Sequence, residues 1–362
     1  MKDKSNQKPI VTFARWGNYS IAFASLLEQL GMEVIPPEKV SPNTIIEGAK
    51  ITPDMFCFPM KATIGSYLPA LKKGAQKVFM VQNVGGSCRQ RYYGVIQDKI
   101  LKEDGWDIEF IDLRTTPKDI YTKLKEISGV STLELIKIAI FFFKKLRLIE
   151  NLEKMSQYYR PRELEKGKTD RTLQWALLEL ENLNQRKDFK NIKKQILKKF
   201  SEIQIDKDKK LPKVAVIGEI YTVCDSSVNF ELEKKLGLEG IEIHRQMDLS
   251  YHLKKILCPW KDWIIQKTIN PYLKSTVGGH GRDAIYEMLD YVKRDFDGVV
   301  QILPMACMPE VTVRPILEKI HQQSKIPFLS LSLDEQVAEA GMDTRLEAFV
   351  DVVLNYYKNK KI

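Results

Sequence analysis

Paired cysteines, paired histidines and phosphate loops are all missing from this sequence. The five cysteines are scattered and odd in number, which excludes a secreted disulfide framework and a zinc knuckle. No two of the four histidines stand at metal-ligand spacing. The pattern GxxxxGK[ST] is absent, so the chain carries no recognisable nucleotide engine of its own. No arginine stripe interleaves with aromatics and no Cys/His finger occurs, which argues against nucleic-acid binding. The most apolar stretch, "LELIKIAIFFFKKLRLI" at 133–149, is cut by lysine before it reaches membrane length and reads as a buried helix. The opening "MKDKSNQKPIVTFARWG" shows no apolar core ahead of a cleavage site, so no signal peptide is expected. These absences describe a reduced, cytoplasmic protein with no membrane role.

What is present is a long, basic α/β chain. Its 362 residues exceed the size at which single cores stop growing, so more than one domain is expected. The net charge of +10 comes from 57 basic and 47 acidic residues. Much of that excess sits in Lys/Glu-mixed helical sequence between 118 and 213, the pattern of a solvated helix face. In residues 1–115 short strands ("PIVTFAR", "MEVIPP", "KVFMVQNVG", "WDIEFIDL") alternate with helices such as "YSIAFASLLEQLG" and "MKATIGSYLPALKKG". Residues 116–210 turn helical and end in the linker "DKDKKLP". Residues 211–362 resume the alternation with "KVAVIGEI", "GIEIHRQ", "FDGVVQILP" and "IPFLSLSLD". The "PWKDWI" region between them reads as irregular, and Thr344 with Glu347 reads as a capping box opening the last helix. Alternating strands and helices imply parallel sheets. The expected architecture is two similar Rossmann-like α/β domains facing a cleft, with a helical section between them.

Three cysteines share one setting. Cys57 in "CFPMK", Cys88 in "GSCRQR" and Cys307 in "MACMPE" each lie in a loop near a strand end and before a helix. Ligand sites of open α/β sheets gather outside the carboxyl ends of strands. Glycine and proline in such loops let backbone approach a bulky inorganic group, and helix N-termini favour thiolates. Sulfur donors in this arrangement suit either zinc or iron–sulfur. Cys224 in "GEIYTVCDSS" lies past another strand and is the candidate fourth ligand; Cys258 reads as structural. Glu219 and Glu310 stand beside the same strand ends as candidate proton donors, although capping the following helix is the simpler role for Glu310. His280, in the loop "VGGHGRDA", is a candidate contact for an anionic group. Asp334 and Glu335 follow the final strand, where they line the same region or close a turn.

At these residues the chain resembles the 2-hydroxyacyl-CoA dehydratase D-component family and its acyl-CoA dehydratase activase-related (CoA protein activase) relatives. The resemblance is carried by "CFPMK", "GGSCRQRYYG", "VIGEIY", "DGVVQILPMACMPE" and "LSLDEQVAEAGMDTRLEAFVD". It spans most of both α/β sections, and the helical middle matches in kind more than in residues. It implies iron–sulfur chemistry, with cluster thiolates from two α/β domains: Cys57, Cys88 and Cys307, plus Cys224 or an exogenous ligand. It also implies a separate ATP-dependent iron–sulfur activase that supplies low-potential electrons. Members dehydrate 2-hydroxyacyl-CoA, reduce aromatic acyl-CoA, or reduce small molecules at a double-cubane cluster. A double cubane takes six cysteines and this chain has five, so a single 4Fe-4S cluster is the better fit. The expectation is a reductase or dehydratase-like component, or else an iron–sulfur carrier that only transfers electrons. Its acceptor would be an acyl-CoA or a small reducible molecule, and the default assembly a homodimer.

Overall fold

The computed structural model describes residues 8–82, 88–258, 260–336 and 339–360. The glycine loop expected just before Cys88 falls at 83–87 and lies outside the described residues. The chain divides into two compact units, Met1–Leu146 and Arg147–Ile362. Residues 116–146 of the expected helical section belong to the first unit and 147–210 to the second.

The first unit runs β1 (Ile10–Phe13), α1 (Ser20–Gln29), β2 (Glu33–Val34), α2 (Pro42–Ile51), α3 (Phe58–Lys72) and β3 (Lys77–Gln82). A 3-10 turn (Arg89–Tyr92), α4 (Tyr93–Glu103), β4 (Glu109–Arg114) and α5 (Pro117–Ser128) follow, then α6 (Thr132–Tyr159), whose residues from Arg147 on belong to the second unit. The sheet order is β2-β1-β3-β4, and every pair is parallel. Val11, Phe13, Val78, Phe79 and Met80 are buried from the strands, and Met60, Ile64 and Tyr67 from α3. Side chains of this kind contribute about 1.5–3 kcal/mol each when fully buried. Sequence patterning does not announce α2, whose start is fixed by Ser41 and Thr44. The Ser41 hydroxyl accepts from the Thr44 N–H, the Thr44 hydroxyl accepts from the Ser41 N–H, and Pro42 fills the first turn.

The apolar stretch at 133–149 is a helix but is not wholly buried. In α6, Leu135, Ile138, Phe142 and Leu146 are buried, whereas Leu133, Ile136, Ile140 and Phe143 are 73, 51, 49 and 41% exposed. The segment is apolar on both sides, and only one side finds a neighbour among the described residues. No helix among them is long and apolar enough to cross a membrane.

The second unit continues with α7 (Lys168–Glu181), α8 (Phe189–Ser201), β5 (Lys213–Gly218), α9 (Ile220–Cys224), α10 (Leu232–Leu238) and β6 (Glu242–Arg245). Then come α11 (Leu249–Leu257), α12 (Trp260–Ile269), α13 (Gly281–Lys293), β7 (Gly298–Pro304), α14 (Met308–Ser324), β8 (Phe328–Leu333) and α15 (Glu339–Asn359). Its sheet order is β6-β5-β7-β8, again all parallel. The near-continuous apolar runs of β5 and β7 are buried along almost their whole length, as expected for strands covered on both faces. The fold is thus α/β with two similar four-stranded parallel sheets, each ordered second-first-third-fourth.

Two local expectations are corrected. Of the "PWKDWI" region, Pro259 lies outside the described residues and the rest is not irregular: Trp260 opens α12, which comes after α11, capped by the Asp248 carboxylate on the Tyr251 N–H. Thr344 and Glu347 do not open the last helix. α15 begins at Glu339, and the Thr344 hydroxyl donates back to the Ala340 carbonyl inside it.

Candidate functional site

In each sheet the strand order reverses between the first and third strands, β1/β3 and β5/β7. Ligands of open α/β folds bind outside the carboxyl ends of strands at such a switch point. Helices return antiparallel to the strands, so the N-termini of the helices that precede and follow the third strand lie at that same edge.

Cys57, Cys88 and Cys307 all occupy helix N-cap positions at these edges. Cys57 caps α3, which leads into β3; Cys88 caps the 3-10 turn after β3; Cys307 caps α14 after β7. Each has extended backbone, and none uses its side chain as a capping acceptor. Proline follows two residues after Cys57 and after Cys307, where a missing N–H costs nothing. Ala306, just before Cys307, has φ of 59°. A non-glycine residue there holds strain of about 1 kcal/mol or more, of a sort that collects at functional sites.

The structure brings Cys57 and Cys88 into one neighbourhood of the first unit. The Arg89 guanidinium donates to the Met55 carbonyl at 2.8 Å, and it sits 5.7 Å from the Phe56 ring centroid. This ties the Cys88 turn to the loop that delivers Cys57. The Cys57 Sγ lies 2.7 Å from the Tyr93 hydroxyl at the start of α4. Lys61, one turn after Cys57, is buried.

In the second unit, Glu219 follows β5 and caps α9. Its carboxylate accepts the Tyr221 and Thr222 N–H groups at 3.1 and 3.0 Å. Burial pushes its pKa up, against these bonds, which pull it down. Glu310, in the first turn of α14, does not cap that helix. Its side chain turns into the core, where Oε2 accepts from Gln301 at 2.9 Å and Oε1 has no hydrogen-bond partner among the described residues. The Gln301 side-chain Oε1 accepts in turn from the Ser330 hydroxyl. Burial, with Glu219 and Asp283 nearby, pushes the Glu310 carboxyl up to about 8, so it carries a proton at neutral pH.

His280 caps α13, and its Nε2 lies 3.2 Å from the His252 Nδ1. Burial, then His252 and Lys255, lower the His280 pKa well below the usual imidazole range; burial and Lys255 lower that of His252 to about 4. The pair is neutral at pH 7, offering hydrogen bonds rather than charge to an anionic group. The His280 loop is fastened to the first turn of α14. Gly279 has φ of 57°, and a Cβ on Gly281 would lie 2.8 Å from the Pro309 carbonyl oxygen. His280, Cys307 and Glu310 therefore share one small region.

Sequence reasoning missed the acids behind that region. Asp283 is fully buried and accepts from Lys255 at 2.7 and 2.9 Å and from the Tyr251 hydroxyl at 3.4 Å. Glu287, one turn on, is also fully buried, and neither carboxyl oxygen has a hydrogen-bond partner among the described residues. Burial, then Asp283 and Glu310, raise its pKa well above the usual range. The signal was available: Asp283 and Glu287 interrupt the face of α13 formed by Ala284, Met288 and Tyr291.

Cys224 stands apart in character. It ends α9, its thiol donates to the Met247 carbonyl at 3.8 Å, and burial raises its pKa strongly, which favours the neutral thiol. Cys258 is the C-cap residue of α11 and is partly exposed. All five cysteines are thiols rather than disulfides. Among the described residues, no group of three or more His, Cys, Asp or Glu side chains is arranged to hold a metal ion. The chain matches no protein-family model and no curated protein.

Proposed function

We propose that this chain is a cytoplasmic iron–sulfur protein that accepts electrons from a separate ATP-dependent activase and passes them to a small reducible substrate or an acyl-CoA. Cys57, Cys88 and Cys307 are its cluster thiolates. The observation that carries this reading is their shared address: three N-cap cysteines at switch-point edges, none spending its sulfur on the helix it caps. Donor chemistry fits, because a set of soft thiolates suits an iron–sulfur cluster, and helix N-termini favour its negative charge. A three-thiolate set leaves the fourth position open to an exogenous ligand, or to Cys224 at the end of α9. A 4Fe-4S cluster, when bound, supplies one-electron chemistry at low potential. The chain's own residues position the acceptor and handle protons. Glu310 holds a proton at neutral pH and has one oxygen without a hydrogen-bond partner among the described residues, which suits a donor to a substrate that is gaining electrons. A pure electron carrier needs no such acid, so Glu310 favours a reductase or dehydratase-like component.

Anaerobic reconstitution with iron and sulfide tests the reading. The expected product is brown, binds about four irons per chain, and is reduced by an activase with ATP but not by ATP alone. Alanine at Cys57, Cys88 or Cys307 is expected to remove most of the iron, while alanine at Cys258 leaves it in place. Full iron retention in all three variants would refute the assignment. EPR with and without candidate acceptors then separates turnover from simple electron transfer.

A further inference from the structure

We propose that Tyr93 is a positioning residue whose hydroxyl donates a hydrogen bond to the Cys57 sulfur and raises the reduction potential of the centre that Cys57 serves. This inference rests on the iron–sulfur reading above. The two atoms are 2.7 Å apart, and both residues are buried in one apolar cluster of the first unit. A buried phenol normally finds a partner for its hydroxyl. In a thiol–phenol pair either group can donate. Once Cys57 is a metal thiolate its proton is gone, so the hydroxyl must be the donor and the sulfur the acceptor.

The fold holds Tyr93 in place from both sides. Tyr93 opens α4, and the next residue, Gly94, is pressed against the sheet. A Cβ there would lie 1.9 Å from the Gln82 amide nitrogen and 2.1 Å from an Asp112 carboxylate oxygen. On the other side Arg89 clamps the preceding turn to the Met55 carbonyl. A donor fixed this way needs no reorganisation when the sulfur gains negative charge. Hydrogen bonds to cluster sulfurs stabilise the reduced state, and this is one of the means by which a protein sets cluster potential. Charged acceptors make the stronger hydrogen bonds.

The sequence supplies its own control. Tyr92 is adjacent, exposed, and stacked against the Arg91 guanidinium. The full-length chain, reconstituted anaerobically, is compared as wild type, Tyr93→Phe and Tyr92→Phe. Potentiometric EPR titration and proton hyperfine spectroscopy in H2O and D2O are the readouts. Tyr93→Phe is expected to keep its iron, lower the reduced-to-oxidised ratio at fixed potential about tenfold (about 59 mV for one electron), and lose one exchangeable proton coupling. Tyr92→Phe is expected to change neither. Equal potentials and couplings in Tyr93→Phe and wild type, with iron bound in both, would overturn the proposal. Should Tyr93→Phe fail to fold, the wild type decides alone, because absence of an exchangeable coupled proton is equally fatal. Failure of the wild type to bind iron is a separate result that removes the iron–sulfur reading and this inference with it.

Discussion

Glu310→Gln is expected to remove a large part of the stability loss that the wild type suffers as pH rises from about 5 to 8. In the native state the Glu310 carboxyl titrates near 8, against 4.5 when unperturbed. Below 4.5 both folded and unfolded chains hold the proton, and the group costs nothing differential. Above 4.5 the unfolded chain releases it while the folded chain keeps it, so each pH unit favours unfolding. The loss saturates once pH passes 8. The span corresponds to roughly 5 kcal/mol at its upper limit. Glutamine keeps the shape and the contact with Gln301 but has no proton to lose. Asp283 and Glu287 on α13 and Glu219 after β5 are raised too, so they retain part of the slope in the variant. Urea unfolding at several pH values from 5 to 8 measures the difference. Parallel curves for the two proteins would mean that Glu310 is ionised in the native state.

The second large effect is expected at Gly218, where β5 ends and Glu219 begins. Its φ is 135°, and a Cβ would fall 1.9 Å from the Ile302 carbonyl oxygen on the neighbouring β7. Neither atom belongs to a flexible side chain, so the strands themselves must separate. Gly218→Ala therefore combines backbone strain with a steric clash and is expected to cost roughly 3–5 kcal/mol. Part of that appears as loosening of the switch point, because the Glu219 N–H donates to the same Ile302 carbonyl. Thermal unfolding checks the cost. A variant within about 0.5 kcal/mol of wild type would mean that β5 and β7 separate easily, contrary to their buried pairing.

The parallel strands were legible because "KVAVIG" and "GVVQILP" are buried on both faces and write that burial directly into composition. α2 was not, since its start depends on a Ser41–Thr44 exchange of hydrogen bonds rather than on apolar rhythm. In α6, apolar content identified the helix but not which face would lack a neighbour. Cys88 and Cys307 could be placed from the strands before them, whereas Cys57 follows α2 rather than a strand and only Pro59 marks the helix it caps. Tyr93 could not, because its partner lies 36 residues away and Tyr92 beside it is chemically identical. Glu310 shows the limit most plainly. Its position in the first helical turn suggests a cap, but only the three-dimensional core reveals that Gln301, not the helix terminus, receives it.

The cysteine N-caps also bear on how this protein responds to selection. Serine, threonine, asparagine and aspartate satisfy the free N–H groups of a helix start, and each is worth about 0.5–2 kcal/mol over a residue that cannot. At Cys57, Cys88 and Cys307 that gain is forgone three times. A laboratory screen rewarding heat resistance alone would be drawn to these positions first, trading sulfur for oxygen. If these cysteines are the cluster thiolates proposed above, the survivors would be sturdier proteins without their metal ligands, and thermostability campaigns on this scaffold need an iron-binding readout from the first round.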